Sequence, residues 1–417
     1  MRLFTYLTFG LLSWFGVCFG YAQPTLQSSE RFIDHTIHSA SLNRDQPITV
    51  FLPKGYAGGK ETYPTLYVLD GQFFSHHGVA FQETSDWLFL SPRFVVIGIS
   101  SANKQFRGLD FSSDVHYENY RSFLEKELLP YVSNNYRVSK DRLVFGWQNA
   151  GSFVTNILLH SPELFSAYLV ASGAVSDDES FNAFVKLGLT QERFLYFAHS
   201  PSETWAAQQF GQFLNLVETK APQLLRWKHE TFENEDHWST PYRTLYRGLS
   251  EYFKDYKPLK YNRIQDFLDA GGLEALEHHY QKRAERFNTS PDIHFSTIFY
   301  LLRLAVQGND MDLFDQIMVH FDGQIPGLYP SRWYDRFGQF YIKNNRIEEA
   351  RKFYEGAISR FPDEPVLFSG LGECYFAQKK YEDAERLTRK ALDLAKRVKD
   401  PDVKRYEDFL NRILEHM

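Results

Sequence analysis

Short apolar runs separated by polar turns fill roughly the first 260 residues, and helical spacing takes over after them. Arg31-Phe-Ile-Asp-His-Thr-Ile-His38 alternates, a polar turn through Asn43-Arg-Asp45 follows, and Ile48-Thr-Val-Phe-Leu-Pro53 continues; this predicts an antiparallel hairpin. A Gly-rich loop leads to Pro64-Thr-Leu-Tyr-Val-Leu-Asp-Gly71, which with Phe94-Val-Val-Ile-Gly-Ile-Ser100 reads as strand buried on both faces. Residues 117–132 carry helical spacing through Phe123, Leu124, Leu128 and Leu129. Further strands are predicted over 143–145, 167–172, 193–198 and 226–232, with helices over 152–160, 203–219 and 241–256. Apolar strands alternating with helices predict an α/β fold with a mostly parallel sheet covered on both faces.

From about Pro258 the strands stop, and 264–270, 272–287 and 296–307 read as helices. Tyr334, Phe337, Gly338, Tyr341, Ala350, Tyr354, Ala357 and Pro362 form one series. Phe368, Leu371, Gly372, Tyr375, Ala384 and Ala391 form a second, 34 residues on. Small and aromatic residues at these offsets are the signature of the tetratricopeptide repeat (TPR), a pair of antiparallel helices. Residues 297–320, broken at Gly308-Asn-Asp310, read as a degenerate earlier unit, and the helix 402–416 as a cap on the stack. The expected organisation is a signal peptide over 1–22, an α/β domain over 23–257, a helical linker over 258–295 and a TPR-like all-α domain over 296–417.

The chemistry centres on Arg142-Leu-Val-Phe-Gly-Trp-Gln-Asn-Ala-Gly-Ser152. A buried strand, a small-residue turn and a buried helix are the setting of the nucleophile elbow, G-x-S-x-G. Gly146, Ala150 and Gly151 supply the small residues, and Gln148 stands where the Ser belongs. A carboxamide cannot form an ordinary acyl-enzyme. Ser152, one turn on, is read as a helix-start hydroxyl before it is read as a displaced nucleophile. The triad order places a His after the last strand, where His237 lies, and an acid after the strand 193–198, where Glu203 comes first. Glu203 reads equally as a helix N-terminal carboxylate suited to the macrodipole. Glu235 and Asp236 are reserve acids, although the run 230–236 also reads as a solvated acidic loop. Backbone N–H groups of Asn149 and Gln72 are the candidate oxyanion-hole donors. No cofactor or metal is expected: adjacent side chains in His76-His77 diverge and no carboxylate lies at ligand spacing, so these residues read as a pocket lip.

Charge adds one exclusion, and the N-terminal run a destination. The net charge is −6 and no basic block occurs, which argues against nucleic acid as a partner. Arg2, an apolar run to Phe19 and Gly20-Tyr21-Ala22 read as a secretory signal cleaved after Ala22, shorter than the roughly 20 apolar residues of a membrane span. Cys18, a weak lipoprotein candidate, would leave with it. The remaining Cys374 then has no disulfide partner and reads as a helix-packing residue. A periplasmic or secreted protein without stable membrane insertion is expected.

Taken together, several blocks resemble the esterase group of α/β-hydrolases that includes the esterase D-like and enterochelin-esterase-like enzymes. They are Tyr67-Val-Leu-Asp-Gly71, Val96-Ile-Gly-Ile99 with Arg107 and Asp110, Phe123-Leu-Glu-Lys-Glu-Leu-Leu-Pro-Tyr131 with Asn135-Tyr-Arg137, the elbow block through His160-Ser-Pro-Glu-Leu-Phe165, and Glu235-Asp-His237 with Tyr246-Arg-Gly-Leu249. The resemblance covers about 31–256 and implies an α/β-hydrolase fold and carboxylic-ester hydrolysis. It aligns His237 with the catalytic His, Glu203 with the acid, Gln72 and Asn149 with the oxyanion donors, and Gln148 with the nucleophilic Ser. Three functions are compatible with this sequence. One is a degenerate esterase that binds an ester or acyl ligand, or a partner, with TPR-mediated protein binding. Another is a hydrolase in which His237 activates water or another nucleophile serves. The third is a pure interaction platform.

Overall fold

The computed structural model describes residues 31–100, 114–175, 177–321 and 331–417. Residues 1–22, Arg107 and Asp110 therefore lie outside the described residues. The chain divides after Tyr252 into two compact units.

The first unit holds an eight-stranded sheet in the order β1-β2-β4-β3-β5-β6-β7-β8. Strands β1 (Phe32–Ser39) and β2 (Arg44–Phe51) form the antiparallel hairpin, and β2 joins β4 antiparallel. The central strands β3 (Tyr63–Leu69), β4 (Val95–Ile99), β5 (Val138–Trp147) and β6 (Ala167–Ala171) are parallel to one another, as are β7 (Arg193–His199) and β8 (Leu225–Thr231) beyond them. Every residue of β3, β4 and β6 is buried, which is why these runs are apolar without alternation.

Helices α1 (Gly71–Leu88), α2 (Asp114–Phe123), α3 (Leu129–Asn135), α4 (Asn149–His160), α5 (Asp178–Val185) and α6 (Ala207–Lys220) connect the strands, and α7 (Thr240–Tyr252) follows β8. A π-helical turn, Leu124–Leu128, joins α2 to α3. Periodicity did not disclose α1. Its start depends on Asp70 in the left-handed region (φ 53°, ψ 45°), and on Gly71 lying so close to β4 that a Cβ would stand 2.5 Å from Gly98 Cα. The predicted helix 152–160 begins three residues earlier, at Asn149, because a single residue makes the turn.

The second unit, among its described residues, is helical. It runs α8 (Ile264–Asp269), α9 (Gly272–Phe287), α10 (Phe295–Gly308), α11 (Met311–His320), α12 (Ser331–Lys343), α13 (Ile347–Arg360), α14 (Pro365–Ala377), α15 (Tyr381–Val398) and α16 (Val403–Leu414). Consecutive helices from α12 to α16 pack on each other, as stacked repeat pairs must. Phe267, Leu276 and Tyr280, from the stretch expected to be a linker, share one apolar core with Leu301, Phe314, Phe337, Tyr354 and Leu371. No helix among the described residues is long and apolar enough to cross a membrane.

Candidate active site

The carboxyl end of β5 is the focal point. Trp147 closes the strand, Asn149 opens α4, and Gln148 alone makes the turn with φ 55° and ψ −121°. That backbone region suits glycine, and holding a larger residue there costs about 1–3 kcal/mol. Two bonds fix it: Gln148 N–H donates to the Ala171 carbonyl at 2.9 Å, and the Gln148 carbonyl accepts from Ser152 N–H at 2.9 Å. The small neighbours are required. A Cβ on Gly146 would stand 2.4 Å from the Ala150 oxygen, and one on Gly173 would stand 2.5 Å from the Gly151 carbonyl carbon. The Gln148 side chain is exposed.

β3 is the parallel neighbour of β5, with Val68 opposite Phe145. The N-termini of α1, bearing Gln72, and of α4, bearing Asn149, therefore sit at adjacent strand ends. Helix N-termini carry partial positive charge and outward-pointing amides, and they suit an oxygen bearing negative charge.

On the other side, Glu203 follows β7 in a tight turn and is 1% exposed. Its Oε1 lies 2.5 Å from His237 Nδ1, and its Oε2 accepts the Ser200 N–H at 2.8 Å. Both carboxylate oxygens are thereby engaged. The two reserve acids turn elsewhere. Glu235 pairs with Arg243 at 3.0 Å, and Asp236 accepts from Trp238 N–H and Ser239 N–H at 2.9 and 2.8 Å. The acidic run is not simply a solvated loop. Glu230 lies in β8, where Arg247 holds it with two bonds of 2.9 and 3.1 Å; burial pushes its pKa up, but the Arg247 contacts outweigh this and hold it below the ordinary value.

Three indoles gather around the His237 imidazole, a feature the sequence reading missed. Ring centroids stand 4.8 Å away for Trp147, 5.3 Å for Trp205 and 5.6 Å for Trp238. Trp205 and Trp238 are 68% and 67% exposed, while Phe74 packs behind Trp147 at 5.7 Å. The available signal was positional: each Trp lies one or two residues from Gln148, Glu203 or His237.

The remaining candidates fall out differently. Ser152 is not a helix-start cap, because α4 has already begun; its hydroxyl donates to the Ala174 carbonyl at 3.1 Å. His76 packs against Phe51 and His77 against Tyr242, at 5.3 and 4.4 Å. Among the described residues no group of three or more His, Cys, Asp or Glu could hold a metal. Cys374 is buried in α14, and burial pushes its thiol up to about 12.

The family model described as "Putative esterase" matches residues 39–247, and a tetratricopeptide-repeat model matches residues 339–405. The chain belongs to this esterase family and carries tetratricopeptide repeats near its C-terminal end. Among solved structures, an IroE-like serine hydrolase from Shewanella oneidensis is 21% identical, covers 70% of this chain and 99% of its own, and has a TM-score of 0.51. An uncharacterised protein from Capnocytophaga ochracea DSM 7271 is 15% identical, covers 92% of this chain and 99% of its own, and has a TM-score of 0.50. Both are likenesses of fold. No curated protein matches the chain.

Proposed function

We propose that the α/β unit binds an ester- or acyl-type ligand, or a protein partner, without turning it over through the family's acyl-enzyme route. The observation that carries this reading is Gln148 on the strained strand–helix turn of a site that retains His237 paired with a buried Glu203. A Ser at that turn would pass its proton to His237, with Glu203 holding the imidazole tautomer and stabilising the imidazolium. A carboxamide has no proton to give up near neutral pH and no useful nucleophilicity. It has two N–H donors and one acceptor oxygen, a set fitted to recognising a ligand amide, ester or hydroxyl. The Asn149 and Gln72 amides would receive a ligand oxygen, and the exposed faces of Trp205 and Trp238 would take its apolar part. The repeat helices would hold a protein partner. A signal peptide over 1–22 would deliver the chain to the periplasm or outside the cell, with no nucleic-acid partner and no membrane insertion after cleavage.

The test pairs the wild type with Gln148→Ser on short-chain aryl esters. The expected result is a silent wild type and a variant that hydrolyses ester and loses the activity again on His237→Ala. Robust wild-type hydrolysis that disappears in His237→Ala would overturn the reading.

The paired Glu203 and His237 also support a second reading, slow hydrolysis in which His237 activates water directly. It predicts turnover without a covalent intermediate. A stoichiometric phosphonate adduct would contradict it and redirect attention to another nucleophile.

A further inference from the structure

We propose that Ser200 is the positioning residue that fixes His237 against Glu203. Ser200 directly follows β7 and is 1% exposed. Its N–H donates to Glu203 Oε2 at 2.8 Å and its carbonyl accepts Glu203 N–H at 3.1 Å, so the turn closes on the carboxylate itself. Its hydroxyl donates to the Glu235 carbonyl at 2.5 Å, two residues before His237. That uses the only proton the hydroxyl has. Ser200 Oγ then accepts Ser202 N–H at 3.1 Å, and in the 2.9 Å contact between the two hydroxyls Ser202 must be the donor.

These bonds close a ring: His237 Nδ1 to Glu203 Oε1, Glu203 Oε2 to Ser200 N, Ser200 Oγ to the Glu235 carbonyl, and the chain from Glu235 back to His237. Near the end of the β7–β8 ladder, Phe232 N–H donates to the His199 carbonyl at 2.9 Å. Past that point the acid turn and the histidine loop would diverge, and Ser200 clasps them before the side-chain pair does. The Asp236 turn holds Trp238, Ser239 and Thr240 but, among the described residues, sends no bond to the acid turn. Without the Ser200 hydroxyl, the imidazole keeps only Glu203 and its ring contacts, and a loop released by one bond can carry it out of line.

The inference rests on Glu203 and His237 being the acid–histidine pair of the site, but its test reads that pair directly. In proton NMR of the full chain, a short N–H to carboxylate bond gives a far-downfield resonance, assigned here by its loss in His237→Phe. Ser200→Ala is expected to lose or broaden that resonance while Tm falls by only a few degrees. Ser202→Ala, which spares the Ser200–Glu235 bond, and Ser200→Thr, which keeps the hydroxyl, are expected to retain it. Should Ser200→Ala fail to fold, the near-isosteric weak donor in Ser200→Cys is expected to shift the resonance upfield. An unmoved resonance in the folded Ala or Cys variant, or its absence from the wild type, overturns the proposal. A Gln148→Ser variant without esterase activity would count against the proposed function and would leave this result untouched.

Discussion

Two regions of this chain depend on small residues, for opposite physical reasons. At the elbow, Gly146, Gly151 and Gly173 let backbone approach backbone, so that a strand, a one-residue turn and a helix fit where no side chain could. In the repeats, Gly338 and Gly370 make room for one ring: a Cβ on either would stand 2.2 Å from Tyr354 Cζ. The Tyr354 hydroxyl donates to Asp335 Oδ1 at 3.0 Å between them. In the repeats the small residues serve side-chain packing. The elbow stores strain at Gln148, and strain at a turn is the mark of a place built to present a side chain.

The largest expected effect tests what the elbow presents. Gln148→Ser is expected to raise ester hydrolysis at least about 10³-fold, a lowering of the barrier by roughly 4 kcal/mol. His237→Ala in that background is expected to remove about 10²–10⁴-fold, the usual worth of a positioned base. Initial rates on an aryl ester decide it. A variant as silent as the wild type would mean that the turn is conserved in shape but the pair is not aimed at it.

The repeat region meets its counterpart test at Tyr354. Tyr354→Ala is expected to cost about 3–5 kcal/mol, because two glycines flank the ring and nothing nearby can fill the cavity. It would also remove one of the donors to Asp335, in a site where burial already holds that carboxyl above the ordinary range. Tyr354→Phe should cost only about 1 kcal/mol, the worth of the hydrogen bond. Urea titration separates the two; equal losses would show that the bond, not the ring, organises the stack.

The two regions also differ in how much the sequence discloses. Both repeats announce themselves because packing chemistry recurs at a fixed offset: Tyr334 and Phe368, Gly338 and Gly372, Ala350 and Ala384. The parallel sheet is legible because strands buried on both faces are predominantly apolar, with Thr65 a polar exception in β3. The site is legible in part. Gly146 and Gly151 mark the turn, but a separation of 34 positions between Glu203 and His237 says nothing about which carboxylate meets the ring. Tertiary placement decides that, by drawing Glu235 to Arg243 and Asp236 to its own turn. Helix α1 escaped notice because its start rests on Asp70 in a left-handed conformation, and periodicity carries no sign of that.

Each region also half-buries a histidine, which offers a smaller and parallel test in acid. His229 in β8 is held down to about 4 by burial and by His199 beside it at 3.1 Å; His294, capping α10, is held down to about 4 by burial and by Arg283. Both rings are neutral in the folded chain. Below about 6.5 the unfolded chain takes up protons that the folded chain refuses until about 4, so stability is full above that window and is lost as pH falls through it. With solvent screening the loss should be about 1 kcal/mol at each site. His294→Asn keeps a neutral cap and should flatten the acid dependence of Tm between pH 6.5 and 4 for the repeat region. His229→Gln should do the same for the sheet. An unaltered slope in both variants would assign acid lability to other groups.

One pair of substitutions separates the regions most directly. Gln148→Gly relieves a strain of about 1–3 kcal/mol and adds about 0.5–1 kcal/mol of backbone entropy to lose on folding, so a net gain of about 1 kcal/mol is expected. The urea midpoint should rise with the m-value unchanged. In the repeats the same chemistry runs backwards: Gly338→Ala adds a methyl where Tyr354 already stands and should destabilise by about 1–3 kcal/mol. Opposite signs from the two substitutions would mean that the elbow keeps a costly side chain for its ligand while the repeats keep empty space for their core. If Gln148→Gly is destabilising instead, the carboxamide makes intramolecular contacts worth more than the strain. The glutamine would then be a structural residue of the turn, and the binding role proposed for it would fall.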